Sequence, residues 1–122
     1  MSQRAAKLYR TVDLESAPKS QILERLLDRL HTDLSVARQA ITDGKIEAKA
    51  AALGHAQQII VELQAALDHA QAPEMCANLA RLYDFVNERI NTANVKLKTA
   101  PIDDAAPVVA AIADAFRQAR TP

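Results

Sequence analysis

Tryptophan is absent from this 122-residue sequence, cysteine occurs once and glycine twice, and there are only four aromatic residues, Tyr9, Tyr83, Phe85 and Phe116. Each scarcity excludes something. A lone Cys76 can neither close an intrachain disulfide nor supply a cysteine-based zinc site. Two glycines, and prolines that fall mainly between periodic segments, leave helix as the economical reading of the chain. No charge of one sign dominates: fifteen basic residues balance fifteen acidic ones, and the isoelectric point is about 6.8. The chain therefore carries no long-range field to gather nucleic acid or anionic lipid. No stretch approaches the roughly 20 apolar residues that cross a bilayer. The opening ten residues lack the apolar run of a secretory signal. A cytoplasmic protein with no membrane insertion, no nucleic-acid partner and no cofactor is expected.

What is present is aliphatic. Apolar residues make up 49% of the chain, and much of that share is alanine, the residue with the lowest helix cost. The length suits one domain with a core that needs neither metal nor disulfide. Residues 1–17 form a polar lead with apolar anchors at Leu8, Tyr9, Val12 and Leu14. Ser16 is a natural N-cap, with Pro18 in the first turn of the helix that follows.

Residues 18–120 form the predicted bundle domain. A first helix to about Asp43 carries Ile22, Leu23, Leu26, Leu27, Leu30, Leu34, Ala37 and Ile41 along one stripe. Gly44 suits the left-handed position after it. A second helix is expected from about Ile46 to Ala70, with Gly54 marking a close helix crossing. A third runs from Pro73 to about Leu97, with Met75, Leu79, Leu82, Val86, Ile90, Ala93 and Leu97 inward. A fourth, capped by Asp103 or Asp104 and lined by Ala105, Val109, Ile112, Phe116 and Ala119, holds Pro107 in its first turn and ends near Arg120. A first-turn proline is tolerated; one placed deeper would kink the helix. Helices of about 25 residues span roughly 37 Å. Joined by short connections, they predict an all-α, antiparallel up-and-down four-helix bundle. Its short fourth helix would leave part of a groove open, and the apolar lead is placed to lie over it.

Little in the sequence resembles a catalytic constellation. His31, His55 and His69 share no i, i+3 or i, i+4 spacing and no Glu-x-x-His motif. Cys76 reads as buried and inert. The one enzymatic reading is phosphotransfer through His55, which sits beside Gly54 with Lys49 six residues before it. Asp28 and Asp84 are ambiguous. Each is either a helix-edge charge, Asp84 pairing with Arg81, or an acceptor for a partner chain. Tyr83, Asp84 and Arg89 stand out because scarce aromatics and charges share one turn of a helix whose core needs neither.

The motifs, taken in order, are more specific. Ser16-Ala17-Pro18 follows a Tyr-bearing lead, and Leu26-Leu27-Asp28 stands on the first helix. Gly44-Lys45-Ile46-Glu47-Ala48-Lys49 forms a turn. Ile59-Ile60 leads to Leu67-Asp68, and Asn78-Leu79, Leu82-Tyr83-Asp84 and Ala93-Asn94 follow. In this order and spacing the chain resembles the flagellar export chaperone family FliS over nearly its whole length. It departs from the family pattern at Arg29-Leu30, Ala72-Pro73 and Phe116.

The resemblance implies a four-helix bundle that is not an enzyme. It implies binding to the disordered C-terminal segment of flagellin, prevention of premature polymerisation, and delivery to the flagellar export gate of the type III apparatus. It also implies partner-binding roles for Leu27, Asp28, Leu82, Tyr83, Asp84, Arg89 and Asn94, with Leu8, Tyr9, Val12 and Leu14 as a displaceable cover. The departures also fit a paralogue serving another exported flagellar protein. The alternatives from other classes are the His55 phosphotransfer bundle and a structural bundle that only dimerises; a monomer or weak dimer is expected.

Overall fold

The computed structural model describes residues 17–120. The expectations placed on Leu8, Tyr9, Val12 and Leu14 lie outside the described residues. Four helices follow in order: α1 (Ala17–Thr42), α2 (Ile46–Ala65), α3 (Pro73–Lys96) and α4 (Ala100–Arg120). No strand occurs among the described residues. Each helix packs on its neighbour in the chain, and α4 returns to pack on α1. Short connections and this closed ring make an antiparallel up-and-down bundle. The starts of α1 and α3 and the ends of α2 and α4 therefore lie at one end.

The core follows the aliphatic stripes. Leu30 and Leu34 of α1, Leu53 and Leu63 of α2, Leu79 and Ile90 of α3, and Ile102 and Val109 of α4 are all fully buried. Burial of a side chain of this size stabilises the fold by about 1.5–3 kcal/mol. Every apolar position expected on the inner face of α4 is buried: Ala105, Val109, Ile112, Phe116 and Ala119. Gly44 adopts φ +70° after α1, and the Lys45 N–H donates to the Ala40 carbonyl at 2.8 Å. That closes the helix as its sequence position suggested.

Five expectations need correction. Helix α2 stops at Ala65, with residues 66–72 outside any helix, so α2 at 20 residues is the shortest of the four. Helix α4 starts at Ala100, and the Thr99 carbonyl accepts from the Ile102 and Asp103 N–H groups at 3.0 and 3.1 Å. Pro101, not Pro107, thus occupies the first turn, and Pro107 lies inside the helix, where it has no N–H to give the Asp103 carbonyl. A Cβ on Gly54 would meet nothing within 4 Å, so no helix crosses closely there. On α3 the inward residue is Tyr83, 2% exposed, whereas Leu82 is 37% exposed. Leu97 does not continue the face of α3. It ends the helix in the left-handed region at φ 54°, its N–H donating to the Ala93 carbonyl at 3.0 Å.

Candidate partner-binding surface

An apolar opening lies where α2 ends early, not along a short α4. A cavity of about 40 Å³ there is lined by Leu63 and Leu67, by Met75, Leu79 and Tyr83 of α3, and by Phe116 of α4. Lys19 and Leu23, from the first turns of α1, complete its rim. Cys76 also lines it. The thiol is buried, and desolvation pushes its pKa up, which keeps it protonated and inert. Burial likewise pushes the Tyr83 phenol well above its ordinary range, with Cys76 a lesser cause.

Two faces of α3 differ in character. The face toward α4 presents Leu82 and Phe85, both exposed, in the same row as Arg89. Arg89 donates to Glu88 at 2.6 and 2.7 Å and reaches Asp104 of α4 at 3.4 Å. The Arg89 guanidinium holds the Glu88 carboxyl below its usual range, and Glu88, with Asp104 a lesser cause, raises the guanidinium further. The face toward α2 is polar. Lys49 Nζ, on a residue only 6% exposed, donates to Asn94 Oδ1 at 2.7 Å and to the Asn94 carbonyl at 3.2 Å. Two turns further along α2, Gln57 Nε2 donates to Asn91 Oδ1 at 2.6 Å and to Asn87 Oδ1 at 3.4 Å. Gln64 Nε2 then donates to Asp84 Oδ1 at 2.8 Å.

The expected site residues divide accordingly. Leu82, Asp84, Arg89 and Asn94 share α3, on its two flanks. Asp28 is exposed on α1 and accepts from Arg117 of α4 at 3.2 Å, while Arg117 also meets Asp114 and Glu24. Asp28 and Asp84 are thus tied across helices, not along them, and Arg81 turns to Asn78. Leu27 and Tyr83 are core residues, at 0% and 2% exposure, and offer a partner no surface in this bundle. Sequence reasoning missed Gln57, Gln64, Asn87 and Asn91 as a group. The signal was there: Gln57 and Gln64, like Asp84 and Asn91, stand seven apart, which returns a side chain to the same flank after two turns.

The phosphotransfer reading of His55 loses its supports. His55 Nδ1 meets the Asp33 carboxylate of α1, an anion where an incoming phosphoryl group would need a cation, and Lys49 is committed to Asn94. Among the described residues no cluster of His, Cys, Asp and Glu could hold a metal, and no helix is long and apolar enough to cross a membrane.

Known proteins resemble the chain in sequence. The family model described as Flagellar protein FliS matches residues 1–122. The chain is 34% identical to the flagellar secretion chaperone FliS of Salmonella typhimurium, covering 92% of this chain and 87% of that protein. It is 30% identical to the flagellar secretion chaperone FliS of Vibrio cholerae, over 86% of this chain and 77% of that protein. With the flagellar secretion chaperone FliSB of Pseudomonas aeruginosa the identity is 31%, over 84% and 85%. With its bundle, its motifs in order and these relatives, the chain belongs to the FliS family of flagellar secretion chaperones.

Proposed function

We propose that this protein is a cytosolic export chaperone that binds the disordered C-terminal segment of flagellin. By holding that segment it prevents premature polymerisation and hands the client to the flagellar export gate. The observation that carries the reading is the exposure of Leu82 and Phe85 side by side on α3, two of eight large apolar side chains left in solvent among the described residues. Large apolar side chains left in solvent on a rigid helix suit a client that orders as it binds and offsets its ordering cost by burying an apolar face. Asp84, Arg89 and Asn94 frame that helix as polar rim, and Asp28 does the same on α1. Leu27 and Tyr83 serve beneath the surface by holding α1 and α3 in place. The act is binding, with no bond made or broken.

The lead fits the same reading. Helix α1 begins at the end of the bundle where Lys19 and Leu23 border the apolar cavity. Leu8, Tyr9, Val12 and Leu14 act there as a displaceable cover, leaving residues 18–120 as the bundle proper.

Calorimetry with the cognate flagellin C-terminal peptide tests the reading. Saturable 1:1 binding is expected, with new helicity in the peptide by circular dichroism. Absence of saturable heat with flagellin, alongside binding of another exported flagellar protein's C-terminal segment, would reassign the client. Absence of both would remove the chaperone reading.

A further inference from the structure

The arginines of the bundle divide into two groups. Arg38 is held by Asp103, Arg81 by Asn78, Arg89 by Glu88 and Asp104, and Arg117 by Glu24, Asp28 and Asp114. Arg25 and Arg29, one turn apart on α1, are exposed and have no partner among the described residues. Each guanidinium offers a fixed fork of donors that matches a carboxylate, and here both forks stand idle. Asp33 meets His55 across the antiparallel α1–α2 pair, which sets Leu26 opposite Glu62. Glu62 is thus the α2 carboxylate that register brings closest, and it pairs with neither arginine.

Apolar side chains flank the two cations. Ile22 and Val36 are 55% and 49% exposed, and they stand seven residues to either side of Arg29. Seven residues fall only about 20° short of two full turns. Ile22, Arg29 and Val36 therefore form one nearly straight row about 21 Å long. The neighbouring row of α2 is Ala51, Gln58 and Ala65, again seven apart and all exposed. Ala51 and Gln58 lie four residues before and three after His55, the α2 residue that meets α1, and so share its flank. A helix laid between the two rows meets an apolar side chain at each end, guanidinium groups in the middle, and alanines that admit its backbone. Helix α1 packs on α2 and α4 and stands across the ring from α3, so this face lies away from Leu82 and Phe85.

We propose that the α1–α2 face docks an acidic amphipathic helix of a second partner protein, separate from the client held at α3. The matching helix carries Glu or Asp at its centre, against Arg25 and Arg29. A large apolar residue seven positions to either side of that centre covers Ile22 and Val36. Charge argues against a second copy of this chain as the occupant. With the apolar residues matched, α1 against α1 sets Arg29 against Arg29 whether the two run parallel or antiparallel, and like charges face to face oppose association. A bilayer is also the poorer fit, because two aliphatic side chains about 21 Å apart make no continuous apolar face to bury in it.

The test uses the full chain and a designed helical peptide of about three heptads, with Leu at the two outer positions of its row and Glu at the centre. A control peptide carries Lys in place of each central Glu. By fluorescence anisotropy the Glu peptide should bind saturably and the Lys peptide about ten-fold more weakly, with the gap closing as salt is raised. The double variant Arg25→Glu, Arg29→Glu should reverse the preference, its fold checked by thermal melting, and should bind the flagellin C-terminal segment as the parent does. The Glu peptide should also bind with that segment already in place. No saturable binding of the Glu peptide, or equal binding of both peptides, would overturn the inference and leave the chaperone reading untouched. Loss of flagellin-segment binding in the double variant would give this face to the client and overturn it too. Self-association of the parent that the double variant abolishes, read by sedimentation, would assign the face to a second copy instead.

Discussion

Lys49 is a long cationic side chain kept almost wholly out of water, and Asn94 is what makes that tolerable. Its ammonium spans from the start of α2 to the last turn of α3, where it takes both the Asn94 side chain and the Asn94 carbonyl. That carbonyl belongs to the negative pole of α3, so the cation is placed where the helix dipole favours it. Lys49→Met keeps the stem and removes the donor; a loss of about 1–3 kcal/mol is expected in a denaturant titration, and no change would show the clasp to be inert. A second residue-scale contact reports on pH. Arg38 donates to both oxygens of Asp103, at 2.7 and 3.2 Å, and holds that carboxyl below its ordinary 3.8. A depressed carboxyl contributes its stability above its unfolded value and loses it as pH falls through the folded one. The Arg38–Asp103 tie between α1 and α4 should therefore weaken below about pH 4. Between about pH 5 and pH 3 the melting temperature of the parent should fall further than that of Asp103→Asn. The effect is small because the pair is solvent-exposed.

At the scale of the element, α3 shows what a periodic sequence can and cannot say. Leu79, Val86 and Ile90 fix its inner face, but both Leu82 and Tyr83 sit three or four residues from Leu79 and from Val86. Either register satisfies the spacing, and the two differ by only about 100° around the axis. The structure resolves the tie in favour of the larger side chain, leaving Leu82 beside Phe85 on the surface. Helix starts were legible for a similar reason and misread in one place. A proline early in a helix is a good signal, and α4 offered two; Asp103 reads as a cap but serves as a first-turn acid. The cross-helix ties of Lys49, Gln57 and Gln64 were out of reach because periodicity places a residue on a flank without naming what faces it. The end of α3 yields a prediction of its own. Leu97 holds a left-handed φ of 54° with its side chain 45% exposed, a conformation that costs a residue with a Cβ about 1 kcal/mol. Leu97→Gly should raise stability by about that amount in thermal melting, and a loss would mean that the exposed leucine packs on something in solution.

At the scale of the molecule, the four-helix architecture was legible because nothing in the chain competes with it: few glycines, no alternating strand pattern, short connections. The candidate surface was legible as a helix, α3, and not as a set of atoms, because exposure depends on which of two neighbours turns inward. Deleting residues 1–15 addresses the whole-molecule arrangement directly. The helical melting transition should survive while affinity for the flagellin segment or self-association changes, as read by calorimetry and sedimentation. Loss of the transition would make the lead part of the core. The ring of helices also places Ala17 and Arg120 at one end, beside each other in the α1–α4 pair, as the contacts of Arg117 with Glu24 and Asp28 attest. The order in which the chain visits the four helices is thus not what defines the bundle. Linking those two ends and opening the chain instead at the exposed Asp43–Gly44 turn would give a permuted protein with every helix contact kept. Its new ends would emerge at the opposite pole, away from the α2–α3 connection and the apolar cavity beneath it.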